Sequence, residues 1–373
     1  MSTMAIDFEA EGLLEGLDGK ALEARRRLLE ELAADGVSLE ELRLAVAQDR
    51  LALLPLERVF DAEGPRYTAS QLAEEAGVSL DFLLRQRRAL GLPVPDPDEA
   101  EFTEDDLEAA RRTRRIRATG ASDDALLEFA RVLGLAMSQV ATTNLRVLAD
   151  SLLQPGDTEL DAAKRFSQAA HDLIPDAGPM LGYVFGRHLR QQVRQDVISR
   201  QALAEGRLAE GQEVAVSFAD IVGFTKLGEQ IGVEELGAVT GRLGELASEV
   251  ASAPVRLVKL IGDAAMLISP QADPLLDATL ALVDAADNEG EGFPLLRAGV
   301  AAGQALAQGG DYFGHPVNLA SRITAVAYPA SVLCAADVRE VAGSGYRWSD
   351  AGRRRLKGID GPVRLARVRH AGD

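Results

Sequence analysis

Two aspartates in this chain stand where a carboxylate can do chemistry. In Val214–Ala–Val–Ser–Phe–Ala–Asp220–Ile–Val–Gly223–Phe–Thr225, an apolar alternation ends on Asp220, breaks at Gly223 and reopens as a helical pattern at Phe224–Thr225. Leu257–Val–Lys259–Leu–Ile–Gly262–Asp263–Ala–Ala–Met266 repeats the theme of apolar strand, glycine and aspartate. A strand-end carboxylate is a hard oxygen ligand, and a helix start offers free N–H groups and the positive end of a dipole. Together they suit a metal-bound phosphate. Two such carboxylates suggest a site for two magnesium ions. Aspartate beside glycine also commonly opens a turn, and that plainer role is the alternative for each alone.

These carboxylates need elements to position them. From Gln212 onward the pattern alternates. Strands are expected at 214–218, 255–261, 264–269, 295–302 and 331–334, and helices at 225–231, 233–252, 274–287 and 316–327. Val214, Val216 and Phe218 alternate with small residues, so the first strand is expected to bury one face. Helices between strands, with an adjacent strand pair at 255–269, indicate an α+β fold of the ferredoxin-like kind.

Residues up to about 200 read as almost entirely helical. Ser38 with Glu41 forms a capping box for a helix running to Gln48. Thr68 with Gln71, then Gly77, then Ser79 spell helix–turn–helix, and Gly91–Leu–Pro–Val–Pro follows where a wing would stand. This order resembles the winged helix–turn–helix of the MerR group of regulators. Between Gly64 and Gly120, however, nine arginines face eleven acidic residues, a net of −2. A module held on DNA by electrostatics is usually clearly basic, so a regulatory module reusing that fold is favoured over a nucleotide-responsive DNA-binding regulator. A helix opened by Ser122 should carry Leu126, Phe129, Ala130, Leu133 and Met137 on its apolar side. Two further helices, Asp161–Leu173 and Tyr183–Leu203, are expected on either side of Pro175–Asp–Ala–Gly178–Pro179. Pro179–Phe185 is very apolar for a surface helix and is expected to pack on a partner helix, in this chain or a second copy. A lipid-binding groove is the alternative, which leaves a small-molecule or lipid effector open as a partner.

The chain has 373 residues, enough for two domains: a helical regulatory part at 1–206, a junction at 207–211 and a catalytic part at 212–373. No run of apolar residues approaches the roughly 20 needed to span a bilayer, and no secretory signal opens the chain. One cysteine, Cys334, excludes an internal disulfide framework and fits a reducing compartment, so a cytoplasmic location is expected. The net charge of −18 disfavours general affinity for nucleic acid or anionic membrane, while a metal ion can still neutralise a nucleotide's phosphates locally.

Four motifs then combine in order. They are Phe218–Ala–Asp220–Ile–Val–Gly–Phe–Thr225, Lys259–Leu–Ile–Gly–Asp263, Asp311–Tyr–Phe–Gly–His–Pro–Val–Asn318–Leu–Ala–Ser–Arg322 and Leu356–Lys357–Gly358. In this order they closely resemble the catalytic domain of class III nucleotidyl cyclases over about 160 residues. The N-terminal half more loosely resembles the regulatory region of soluble actinobacterial adenylate cyclases that respond to pH.

The resemblance implies that Asp220 and Asp263, with the Ile221 carbonyl, bind two Mg2+ or Mn2+ ions per site. It implies that Phe224–Thr225 receives phosphate oxygens, that Asn318 orients the ribose and that Arg322 stabilises charge on the α-phosphate. Lys357 would contact the terminal phosphates, and Lys259 with Asp311 would read the purine. That pair suits adenine: lysine donates to N1 and a carboxylate accepts from the 6-amino group, positions that guanine reverses. The related guanylate cyclases use a carboxylate and a small residue there. ATP is therefore the expected substrate. The family divides each site between two catalytic domains, and this chain carries both halves, so a homodimer is implied. His171 and His188, two of four histidines, lie near the junction and are the candidates for pH control.

Overall fold

A computed structural model describes residues 6–60, 64–96, 98–195 and 211–372. The chain divides into two compact units, Met1–Gln192 and Val193–Asp373.

The first unit is helical: α1 (Gly19–Ala34), α2 (Leu39–Ala47), α3 (Leu54–Val59), α4 (Ala69–Ala76), α5 (Leu80–Ala89), α6 (Glu104–Arg117), α7 (Asp123–Leu152) and α8 (Glu159–Gln195). The capping residues act as the sequence suggests, except that the box expected at Ser38 and Glu41 is only half formed, by the Ser38 side chain. Ser38, Thr68, Ser79 and Ser122 each accept the backbone N–H of the third residue on, and Gln71 completes a capping box. Gly77 ends α4 in the left-handed region at φ 69°, and a tight turn leads into α5. No strand forms at Gly91–Pro95; the pairing nearby is a single antiparallel bridge between Tyr67 and Phe102.

Three small clusters share the burial in this unit. One gathers Leu28, Leu29, Leu42, Leu51 and Leu54 with Leu160 and Ala163 of α8; a second joins Leu72 and Ala76 to Phe102 and Leu107; a third joins Phe82 to Leu126 and Leu127.

Two expectations for the long helices fail. The segment expected as two helices around the prolines is one helix, α8, that runs through Pro175 and Pro179 as far as Gln195; residues 196–203 lie outside those described. Each proline lacks a donor and crowds the preceding turn, but the two stand four apart and therefore disturb one face, which a helix absorbs by bending. On α7, Leu126 and Ala130 are buried, whereas Phe129, Leu133 and Met137 are exposed within the chain. The apolar side of α7 is thus wider than the core it meets. By length and composition α7 could also cross a membrane; Arg131 and Arg146 lie within it.

The second unit is an α+β sandwich. Its strands are β1 (Gln212–Ile221), β2 (Arg256–Ile261), β3 (Ala264–Ser269), β4 (Leu296–Gln308), β5 (Asp311–Phe313), β6 (Ser331–Ala335), β7 (Tyr346–Arg355) and β8 (Pro362–His370). Its helices are α9 (Phe224–Leu227), α10 (Val233–Val250), α11 (Ala272–Asn288), α12 (His315–Thr324) and α13 (Val338–Val341). The sheet order is β2-β3-β1-β4-β6-β8-β7, with β5 paired to the far end of β4. The β4–β6 pair is parallel and the other pairs are antiparallel.

Central β1 buries both faces, not one: Ala215, Ser217 and Ala219 are as buried as Val214, Val216 and Phe218. The cause is a helix on each side, α11 on one and α12 on the other. The approach of α12 depends on Gly299, where a Cβ would stand 2.3 Å from the Thr324 nitrogen and 2.5 Å from the Ala320 oxygen. Thr324 Oγ1 lies between two acceptors, the Ala320 carbonyl of its own helix at 2.9 Å and the Phe218 carbonyl of β1 at 3.2 Å, and so links α12 to β1.

Candidate active site

Asp220 ends the central strand and Asp263 occupies the turn between β2 and β3. Antiparallel pairing of β1 with β3 brings them together: Asp220 lies opposite Ala264, and the Ile221 N–H donates to the Asp263 carbonyl at 3.0 Å. Burial, with the Asp220 carboxylate beside it, holds the Asp263 carboxyl above the ordinary aspartate range. Gly262 and Gly223, at φ 59° and 75°, make the two turns that aim these acids at one point.

Sequence reasoning missed Arg297. It stands opposite Asp220 across the β1–β4 pair, and its Nε and Nη2 both donate to Asp220 Oδ2, at 3.0 and 2.7 Å. Its Nη1 reaches the Ala325 carbonyl at 3.1 Å, just beyond the C-terminus of α12. The available signal was a lone arginine inside the apolar run Leu295–Ala302, a position that a buried strand gives to a charge only when the charge has a partner.

A hard divalent cation fits this cluster. Two carboxylates lie close together, and burial, with Asp220 as a further cause, makes Asp263 resist ionisation when no cation is bound. Among the described residues no group of three or more His, Cys, Asp or Glu could hold a metal. The protein donors are therefore few, as for Mg2+ held by one or two carboxylates with the remaining positions taken by water and substrate phosphate.

The expected helix at 225–231 is a single turn, α9. The next residues tie back through Gln230 N–H to the Leu227 carbonyl and do not extend it. Phe224 is half-buried against the core while Thr225 is exposed, and the turn offers first-turn N–H groups without a long dipole.

A second cluster lies on β2 and β5. Lys259 Nζ and Asp311 Oδ2 are paired, and Asp311 Oδ1 accepts the Tyr312 N–H at 2.8 Å. The chain thus brings together the two residues expected to read the purine.

Asn318 and Arg322 lie on the exposed face of α12, opposite buried Leu319 and Ile323. Lys357 is exposed in the turn between β7 and β8. His171 and His188 are both exposed on α8. Around α4–α6, five arginines meet carboxylates: Arg87 with Asp106, Arg111 with Glu104, Arg112 and Arg115 with Glu108, and Arg117 with Asp123.

Comparison with known proteins agrees with this architecture. Residues 6–193 match the adenylate cyclase regulatory domain, and residues 208–366 match the adenylate and guanylate cyclase catalytic domain. The chain is 40% identical to the pH-sensitive adenylate cyclase MT1302 of Mycobacterium tuberculosis, over 98% of this chain and 93% of that one. It is 32% identical to an adenylate cyclase of Streptomyces coelicolor, over 77% of this chain and 74% of the other. The crystal structure of the adenylyl cyclase CyaB from P. aeruginosa is similar over 43% of this chain and 95% of its own, at 20% identity and a TM-score of 0.38. The regulatory and catalytic matches together, with identity to a full-length relative, establish that this chain belongs to the adenylate cyclases and is an enzyme with an N-terminal regulatory domain.

Proposed function

We propose that the chain converts ATP to 3′,5′-cyclic AMP and pyrophosphate in a site shared by two copies. The observation that carries this reading is the pattern of pairing within one chain. Asp220, Asp263 and Arg297 meet, and Lys259 meets Asp311, whereas Asn318, Arg322 and Lys357 face outward with no partner among the described residues. One amide and two cationic side chains are thus free to meet something the single chain lacks. Leu260, Ile261 and Phe313, near in sequence to residues of the two clusters, are about half exposed, and a second catalytic unit would cover them.

In this reading Lys259 donates to adenine N1 and Asp311 accepts from the 6-amino group. Asn318 orients the ribose. The 3′-oxygen attacks the α-phosphorus, its proton leaves to solvent and pyrophosphate departs. Arg322, from the same copy as Lys259, Asp311 and Asn318 and opposite the copy that brings the metal aspartates, meets the charge that develops on the α-phosphate. Lys357 and the free N–H groups of Phe224 and Thr225 take terminal phosphate oxygens. Arg297, already at Asp220, can follow the phosphates when Asp220 becomes a cation ligand. Two Mg2+ or Mn2+ ions, held by Asp220, Asp263 and the Ile221 carbonyl, would neutralise the triphosphate and acidify the 3′-hydroxyl.

The division is taken as 1–206, a junction at 207–211 and 212–373; apart from Gly211 the junction lies outside the described residues. The exposed apolar residues of α7 and α8 support pairing of the regulatory helices with those of a second copy. The substrate is a cytoplasmic nucleotide, which supports a cytoplasmic location. Likeness to a pH-sensitive relative supports control by protons, with His171 and His188, both exposed on α8, as the candidate groups. Replacing both by Gln should flatten the pH–rate profile of the full chain; an unchanged profile would remove them from the account.

Incubation with Mn2+ and either ATP or GTP tests the core of the proposal. Cyclic AMP should form, cyclic GMP should not, and Asp220→Ala should lower the rate by roughly a hundredfold or more. Equal product from wild type and Asp220→Ala would end the metal assignment.

A further inference from the structure

We infer that Arg256 and Tyr312 form a strut that positions the purine-reading pair and so contributes to the choice of ATP over GTP. This rests on the assignment of Lys259 and Asp311 to the purine.

The need for a strut follows from where Asp311 sits. β5 has three residues, pairs with β4 alone and lies off the main sheet order. It follows a tight turn in which Gly309 and Gly310 both take positive φ, 61° and 77°, the geometry of a two-residue hairpin. A short arm of this kind is weakly placed by its own ladder. Lys259, by contrast, lies on β2, hydrogen-bonded along the sheet to β3. A specific readout needs both side chains at a fixed separation, so the arm must be referenced to β2.

The direct contact between Lys259 and Asp311 does this only without substrate. To read adenine, Lys259 turns its donor to N1 and Asp311 its acceptor to the amino group, and their mutual contact is given up. A second tie, three residues earlier on β2, does not involve the base. Arg256 Nη2 donates to the Tyr312 hydroxyl at 2.6 Å, and the guanidinium lies 5.5 Å from the Tyr312 ring centroid. Tyr312 is 8% exposed and belongs to the catalytic core cluster, so the strut ends on packed structure. Its backbone N–H donates to Asp311 Oδ1 at 2.8 Å. That hydrogen bond fixes the carboxylate's rotation and leaves Oδ2, the oxygen now facing Lys259, to meet the base. Anchoring the Tyr312 side chain therefore anchors the neighbouring carboxylate through one peptide unit. Arg256 and Tyr312 are positioning residues: they hold the reader and do not touch the nucleotide.

Steady-state kinetics of the full-length protein with Mn2+–ATP and Mn2+–GTP would test this in wild type, Tyr312→Phe, Arg256→Gln and the double variant. A hydrogen bond from a charged donor corresponds to about tenfold. Tyr312→Phe and Arg256→Gln should each lower the ratio of kcat/KM for ATP over GTP by about that factor, mainly through a higher KM for ATP. The double variant should fall by less than the product of the two single effects, because both single variants remove the same Arg256–Tyr312 hydrogen bond. Arg256→Lys, which keeps a cationic donor, should recover part of the ratio lost in Arg256→Gln. Inhibition by inorganic tripolyphosphate, which has no base, should be unchanged. An unchanged ATP-to-GTP ratio, with activity on both nucleotides falling together, would overturn the strut and leave Tyr312 a packing residue. Lys259→Ala and Asp311→Ala separate the two levels. If they collapse the ratio while the strut variants do not, only the strut is wrong; if they leave it intact, the purine assignment and the strut fall together.

Discussion

The two units of this chain are incomplete in opposite ways. The catalytic unit closes one large core over a seven-strand path, with Val216, Ala219, Met266, Leu282 and Val300 all fully or nearly fully buried. What it leaves unsatisfied is chemical, namely the outward-facing Asn318, Arg322 and Lys357. The regulatory unit spreads its burial over three small clusters and leaves long apolar helix faces uncovered, with Tyr183 66% and Phe185 59% exposed. Its deficit is hydrophobic. A domain that packs itself but leaves proposed site residues facing outward, beside one whose helices lack a full core, is what the proposed two-copy site would require. Contiguous exposed apolar surface of this kind marks interaction sites.

Three experiments can break or sharpen this contrast. The largest expected effect lies where the catalytic core is tightest. Gly299→Ala sets a methyl carbon against the α12 backbone, and overpacking of this sort costs about 1–3 kcal/mol or more. Thermal unfolding should show the catalytic transition lowered by several degrees, about 2–8 °C. An undisturbed transition would mean that α12 can slide, and the fixed placement of Asn318 and Arg322 would no longer hold.

A smaller effect, of opposite character, is expected on α8. Phe185→Glu replaces an exposed apolar ring and should not lower the unfolding temperature. It should instead weaken self-association by roughly tenfold, read by sedimentation velocity over a range of concentrations. A stability loss without any change in association would place Phe185 in an internal contact and reverse the reading of the regulatory unit.

The smallest effect concerns the acid pair. Because the folded-state pKa of Asp263 is raised, the folded chain binds a proton more readily than the unfolded one. Without metal, this carboxyl therefore lowers stability as pH rises through its folded pKa, and the penalty disappears below the ordinary aspartate range. Asp263→Asn should raise the unfolding temperature of metal-free protein near neutral pH by a degree or two, about 1–2 °C, and by nothing at pH 3. Mn2+ should stabilise wild type and leave Asp263→Asn unmoved. A Mn2+ shift retained in Asp263→Asn would move the cation elsewhere.

Much of the catalytic unit was legible in the sequence because its signals are local. Strand ends, glycine turns and the spacing of Asn318 and Arg322 on one helix face are fixed by neighbours a few residues away. Lys259 and Asp311 were matched by resemblance, and the structure brings them into contact. What was not legible depends on long-range partners. Arg297 finds Asp220 only through the register of β1 with β4, and Arg256 finds Tyr312 only when β5 folds back. Ala215, Ser217 and Ala219 looked like an exposed face because the sequence does not say that helices cover both sides of β1. The regulatory helices misled for the converse reason. Pro175 and Pro179 are strong breakers locally, yet α8 continues through them, and the apolar stripe of α7 at Phe129, Leu133 and Met137 implied a core that the single chain does not supply.

The central claim is that each active site draws residues from two chains, and mixing two dead variants tests it most directly. Asp220→Ala removes a metal carboxylate and Arg322→Ala removes the group that meets the α-phosphate; each alone should be nearly inactive. In mixed dimers one site keeps both residues and the other loses both. With random pairing of equal amounts, about a quarter of wild-type cyclase activity should return, since half the dimers are mixed and each carries one intact site. A mixture no more active than the two variants assayed apart would contradict the shared site.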